Sequence, residues 1–155
     1  MNSPKVGEAA KIEWMIRDKL QKVLVIESLC SEFPWDEKKF IDTLRTREYT
    51  GYVAIVDGLT VGFMVIRTDQ PNIGIIKMAV QRSHQRLGVG RRMIEYIKQK
   101  YKKGWRSHIV IDVRESNLGA QLFFKSIGFR CELIVQGGFK DTGEPVYRMT
   151  CPLGD

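Results

Sequence analysis

Met78-Ala79-Val80 runs on toward Gln85-Arg86-Leu87-Gly88-Val89-Gly90-Arg91-Arg92, an apolar strand that breaks at a glycine turn and starts a helix. Helical period marks the stretch from Arg91 to Lys103, with Val89, Met93, Ile94, Ile97 and Tyr101 on one face and Gly104 as a natural stop. A strand, a glycine turn and a helix start together make an anion site. The first helical amides have no partner inside the helix, and the helix dipole adds positive potential there. Gly88 and Gly90 carry no Cβ, which lets backbone approach a phosphate closely. Arg86, Arg91 and Arg92 add positive charge. A ligand bearing a diphosphate is expected at this turn.

Two common diphosphate loops do not fit. The Lys-Ser/Thr pair of a Walker loop is missing after the second glycine, and a dinucleotide fingerprint would need glycine where Met93 stands. The stretch resembles instead the Gln/Arg-x-x-Gly-x-Gly/Ala pyrophosphate loop of the GNAT superfamily of acetyl-CoA-dependent N-acyltransferases. A second block lies downstream, Ile111-Asp112-Val113-Arg114-Glu115-Ser116-Asn117, then Ala120, then Phe124-Lys125-Ser126-Ile127-Gly128-Phe129. It resembles the fifth strand and fourth helix of the same superfamily, in the expected order and at the expected distance.

That resemblance implies roles residue by residue. Met78, Ala79 and Val80 would line the pantetheine arm of acetyl-CoA on a strand that splays from its neighbour, binding it as a strand is added to a sheet edge. The run Arg86, Leu87, Gly88, Val89, Gly90 and Arg91 would hold the pyrophosphate. Asn117 matches a cofactor-bonding position, and it is also placed to cap a helix; both roles can hold at once.

Asp112 coincides with the glutamate that accepts the proton of the attacking amine in the enzymes it resembles. Strand alternation puts Ile109, Ile111 and Val113 on one face and His108, Val110, Asp112 and Arg114 on the other. A carboxylate in mid-strand is costly unless paired or functional. Its alternative is a structural ion pair with Arg114 or Arg130. Aspartate is one methylene shorter than glutamate, so a bridging water is expected rather than direct contact.

Within the superfamily, Phe33-Pro34-Trp35-Asp36-Glu37-Lys38, together with Val113 to Asn117 and Ser126 to Phe129, resembles the ribosomal-protein-alanine N-acetyltransferases. There the loop carrying Phe33 and Pro34 would wall a pocket for a peptide N-terminus. The plainer reading is a proline stop with two buried aromatics. Reactivity also favours an α-amine. With a pKa near ~7.7–8.0 roughly a tenth of it is neutral at pH 7, against well under a thousandth of lysine near ~10.4.

One position departs from the pattern. The acid tyrosine that would protonate the leaving thiolate is replaced by Phe124, beside Phe123, and the loop that often carries another tyrosine reads Gly137-Gly138-Phe139. Tyr147 is the nearest substitute in sequence. Three readings therefore stand: an N-terminal α-amine acetyltransferase, a small-amine acetyltransferase, and a non-catalytic acetyl-CoA binder.

Composition sets the frame. A chain of 155 residues, 43% hydrophobic and 28% charged, suits one domain spanning 1–155. Met1 to Gly7 holds no leader-like apolar run, and no segment approaches the ~20 apolar residues of a membrane span. Cys30, Cys131 and Cys151 are odd in number and far apart, and with His84 and His108 they suggest neither a disulfide framework nor a metal site. A reduced, cytoplasmic, metal-free protein is expected. The net charge of +7 includes Lys98-Gln99-Lys100-Tyr101-Lys102-Lys103, read as a solvated helix face rather than as a nucleic-acid surface. Nothing in the sequence indicates an oligomeric state.

The elements follow in order. A strand over Lys11 to Ile16 precedes a helix over Lys19 to Leu29 capped by Asp18, then a second helix capped by Asp36. Strands Tyr52 to Val56 and Leu59 to Ile66 are joined by Asp57-Gly58, a hairpin signal. Pro71 opens the strand to Val80, and after the glycine-loop helix come a strand from Ser107 to Val113 and a helix from Asn117 to Gly128. Arg130 to Val135 and Val146 to Cys151 complete a mixed α/β domain. Its β-α-α-β-β-β-α-β-α-β-β order is also that of the resembled superfamily, which implies a mostly antiparallel sheet splayed at strands four and five.

Overall fold

The computed structural model describes residues 6–154. Met1 to Lys5, part of the stretch read for a leader, lie outside them. Among the described residues seven strands form one sheet: β1 (Lys11–Trp14), β2 (Tyr49–Val56), β3 (Leu59–Arg67), β4 (Asn72–Val80), β5 (His108–Arg114), β6 (Arg130–Val135) and β7 (Val146–Pro152). Their order is β1-β2-β3-β4-β5-β7-β6, and only β4 and β5 pair in parallel. The helices are α1 (Leu20–Cys30), α2 (Glu37–Leu44), α3 (Val89–Tyr101) and α4 (Leu118–Ser126).

The helices divide the core into two layers. Val23, Ile26 and Phe40 of α1 and α2 pack on Val53, Phe63 and Val65 on one face of the sheet. Met93, Ile94 and Ile97 of α3 and Phe124 of α4 pack on Met64, Ile73, Ile109 and Val113 on the other. The alternation expected in β5 therefore holds, with Ile109 and Val113 buried and Asp112 on the exposed opposite side.

The decisive irregularity is in β4. Val65 pairs Lys77 while Ile66 pairs Ile75, so Ile76 is an extra residue, a bulge that bends the strand. Pairing of β4 with β5 ends at the same place, at Ile75 and Ile111. Beyond it the two strands part, and the extra residue flips the pleat, so that Lys77 faces the α1 layer while Met78 and Val80 pack on the α3 layer.

Local chemistry accounts for the remaining turns. Asp57 and Gly58 both have positive φ, 51° and 77°, as a type I′ hairpin requires. The Asp36 carboxylate accepts from the Lys39 amide at 2.8 Å and caps α2. Asp18 does not cap α1. A 3₁₀ turn over Arg17–Lys19 runs straight into the helix, and the Leu20 amide goes to the Arg17 carbonyl, so a backbone group takes the place expected for the side chain. Lys100 is not simply solvated either: its ammonium lies 4.8 Å from the Trp14 ring centre, 5.5 Å from Tyr52 and 5.7 Å from Tyr96.

Candidate active site

Where β4 and β5 part, an open cleft of about 410 Å³ enters the sheet. Met78, Ala79 and Val80 line one side, Asn117, Gly119, Ala120, Phe123 and Phe124 the other, and Gln85, Arg86 and Gly90 the end at the start of α3. Cys30 and His84 complete the lining. Leu87, Gly88, Val89 and Arg91 are not among these residues. The Val89 side chain is buried in the core, and those of Leu87 and Arg91 are exposed.

The two glycines are needed for different reasons. Gly88 is the residue before α3 and has φ +94°, a left-handed conformation that glycine takes without strain. A Cβ there would meet only Gly7, behind the loop, 3.8 Å away. A Cβ on Gly90 would lie 2.7 Å from the Phe123 ring, so this glycine makes room for α4. Sequence reasoning assigned both to phosphate approach; the packing assigns one to backbone shape and one to a helix contact. Arg86 also has positive φ, 63°. The α3 N-terminus has no side-chain cap. The Arg92 amide is bonded to the Gly88 carbonyl, and the first-turn amides before it face outward for an anion.

Asn117 caps α4, its side-chain oxygen accepting from the Ala120 amide at 3.1 Å, and its amide nitrogen remains available to the cleft it lines. Phe124 is buried, packed edge-on against Phe123 and Phe129 at 4.9 and 5.0 Å between ring centres. Cys30 directs its thiol at the Val80 carbonyl, 3.6 Å away. Burial pushes this thiol above its ordinary value, Arg82 opposes that rise, and Glu27 adds to it.

Asp112 lies outside the lining of the cleft. It stands opposite Arg148 on β7, whose Nε and Nη2 donate to its two oxygens at 2.8 and 3.0 Å. The ion pair anticipated with Arg114 or Arg130 is thus made with the cross-strand neighbour, and it holds the Arg148 guanidinium above its usual value.

Tyr147 shares the other face of the sheet with Met149. It lines a separate groove with Leu118, Gln121, Leu122 and Lys125, and its hydroxyl points to Glu115 at 3.5 Å. Desolvation, followed by Glu115, raises its pKa. Tyr147 stands on the same sheet face as Phe124, opposite to Asp112, but in that separate groove and not in the lining of the cleft.

The loop from Ser31 to Asp36 is held from below by a buried ion pair. Glu27, 1% exposed, accepts from Lys77 Nζ at 2.8 Å and from the Trp35 amide at 3.1 Å. Lys77 also donates to the Ser31 hydroxyl and to the Phe33 carbonyl, at 3.2 and 3.3 Å. Of the two aromatics expected to be buried, Phe33 is 39% exposed. Its ring lies 4.3 Å from the Arg114 guanidinium. Sequence reading missed Glu27, Lys77 and Arg114 as a set. The one available signal was a charged residue on the apolar face of α1. Among the described residues no group of three or more His, Cys, Asp or Glu side chains could hold a metal ion, and no helix is long and apolar enough to cross a membrane.

Comparison with known proteins agrees with this geometry. The model of the Acetyltransferase (GNAT) family matches residues 20–129. The ribosomal protein bS18-alanine N-acetyltransferase of Escherichia coli (strain K12) is 28% identical over 104 residues, 67% of this chain and 70% of that protein. An N-alpha-acetyltransferase of Sulfurisphaera tokodaii is 27% identical over 127 residues, 74% of this chain and 75% of that protein. Among solved structures, the ribosomal-protein-S18-alanine N-acetyltransferase from Escherichia coli matches with a TM-score of 0.80 at 24% identity, covering 94% of this chain and 95% of that one. A seven-stranded sheet opened at its one parallel pair, with a glycine turn and a bare helix start at the opening, is thus joined to a family match over most of the chain, and the chain belongs to the GNAT family of acetyltransferases.

Proposed function

We propose that this protein transfers the acetyl group of acetyl-CoA directly to the N-terminal α-amine of a protein, a ribosomal protein being the first candidate. The observation that carries the reading is the cleft between β4 and β5. One rim is the strand end Met78–Val80, whose edge has lost its β5 partner, and its far end is the uncapped start of α3. An unpaired strand edge suits the amides of a pantetheine arm, and the helix start with Arg86 suits a pyrophosphate. Asp112 is the candidate general base, on the sheet face where the Phe33-Pro34 loop stands. Relatives named for acting on α-amines support this acceptor class. The compartment implied is the cytoplasm, where acetyl-CoA and ribosomal proteins meet.

A second reading has its own support. No tyrosine lines the cleft among the described residues, and Phe124 is buried there, as a non-catalytic acetyl-CoA binder would allow. Calorimetry with acetyl-CoA and a thiol-release assay on a peptide panel separate the two. Binding with release on free N-terminal peptides, faster than on N-terminally blocked lysine peptides or on spermidine, supports the α-amine reading. Binding with no release supports the second, and faster release on blocked lysine peptides or spermidine hands the case to another amine.

A further inference from the structure

We infer that Arg114 is a latch across the acceptor side of the site and sets which first residues an acceptor can present. This role rests on the proposed α-amine acceptor and deepens it. The Arg114 guanidinium is clasped between two rings, Phe33 at 4.3 Å and Phe139 at 4.1 Å from the ring centres. Both distances are well inside the ~6 Å reach of a cation–π contact. Phe33 belongs to the loop between α1 and α2, Phe139 to the loop between β6 and β7, and Arg114 to the end of β5 between them.

The edge of the guanidinium is fixed as firmly as its faces. Nη2 donates to Asp141 at 2.6 Å, and Nη1 donates to Asp141, Thr142 and Glu144 at 3.0, 3.2 and 3.1 Å. All three acceptors lie in the β6–β7 loop. The α1–α2 loop is separately tied down by Lys77 and Glu27. One loop is therefore anchored to the sheet, and Arg114 stacks on its Phe33 while holding the other loop, which the Glu115 amide also meets at the Pro145 carbonyl, 3.3 Å away.

The position of this latch gives it a role in selection. Asp112 and Arg114 leave the same face of β5 two residues apart, about 7 Å along the strand. An acceptor amine delivered to Asp112 has its first side chain within that distance, beneath the Phe33–Arg114–Phe139 stack. A stack joined at both ends bounds the space for that side chain and favours a small one. Lysine could keep the charge but not the two-faced planar contact or the fork to Asp141.

The test uses the full chain, with Arg114→Lys and Arg114→Met as disrupting variants. Peptides differing only in the first residue, from Ala and Ser to Leu and Phe, are assayed for kcat and KM, and acetyl-CoA affinity is measured in parallel. The natural protein is expected to prefer Ala over Leu by about tenfold or more in kcat/KM, the scale on which a pocket rejects extra methylenes. In both Arg114 variants that preference is expected to shrink to within about threefold, through KM, with acetyl-CoA affinity unchanged. Hydrogen exchange is expected to quicken in the 33–35 and 137–143 segments together. Unchanged selectivity in a folded Arg114→Met variant overturns the inference, and so does exchange that quickens in one loop alone. Failure of the natural protein to acetylate any peptide overturns the acceptor reading and the selectivity role with it, while the coupling of the two loops still stands or falls on the exchange result. If both Arg114 variants fail to fold, Phe139→Leu replaces them, with the same outcomes.

Discussion

The backbone amide of Gly7 donates to the carbonyl of Leu87 at 2.9 Å, fastening a short 3₁₀ turn over Val6–Ala9 to the back of the glycine loop. The contact is close: a Cβ on Gly7 would lie 2.2 Å from the Gly88 carbonyl carbon and 2.3 Å from the Val89 nitrogen. These are backbone atoms of the loop itself and cannot swing aside. Gly7→Ala is therefore expected to shift the loop and weaken acetyl-CoA binding about tenfold, or ~1.4 kcal/mol, while kcat at saturating cofactor holds. Calorimetry and saturation kinetics check this. Unchanged affinity means that the turn lifts away alone and does not brace the loop.

Asp112 and Arg148 allow the base to be told from a structural pair. Both side chains are about 40% exposed, at 40% and 42%, where such a pair contributes only about 0.2–1 kcal/mol. Asp112→Asn and Arg148→Met are expected to lower Tm by similar small amounts. Only Asp112→Asn is expected to cut turnover, by about 10²–10⁴, with the loss shrinking as pH rises above the amine pKa. Equal losses of turnover in the two variants, flat across pH, would make Asp112 structural.

Phe124 lines the cleft at the place where the resemblance expects an acid. Phe124→Tyr is expected to raise turnover, by up to about 10²-fold at pH values below a thiol pKa near ~8.5, with the gain fading above it. Turnover against pH for both proteins at saturating acetyl-CoA checks this. No gain between about pH 6 and 9 would mean that the thiolate leaves unaided or that another group protonates it. Tyr147, in the groove beside α4 and outside the cleft lining, is the weaker suspect.

The latch has an acid limit. Hydrogen bonding to Arg114 holds the Asp141 carboxyl below the usual carboxylate range, and Glu144 is held down as well, first by Ser116 and then by Arg114. Lowered folded values mean stability that is present above the ordinary carboxylate range and lost as pH falls through the folded values. Natural protein and Asp141→Asn are expected to differ in Tm near neutrality and to converge as pH drops below that range. A gap that stays constant into acid would place its origin elsewhere.

Sequence by itself determined the element order, the strand-turn-helix at Val80 to Arg91, the Asp57-Gly58 hairpin, the Asp36 cap and the alternation of β5. Each depends on neighbours within a few residues, where period, turn chemistry and caps act directly. What depends on residues far apart was decided by tertiary packing. Arg148 rather than Arg114 meets Asp112 because β7 inserts between β5 and β6, which local pattern does not encode. Gly90 makes room for Phe123, and Gly7 backs the loop from some eighty positions away, contacts that only folding creates. Tyr147 fell on the face away from Asp112 because pleat parity is set by the β5–β7 register. Arg114 was freed from Asp112 and drawn between Phe33 and Phe139 by acids of a loop that closes only once β6 and β7 have paired.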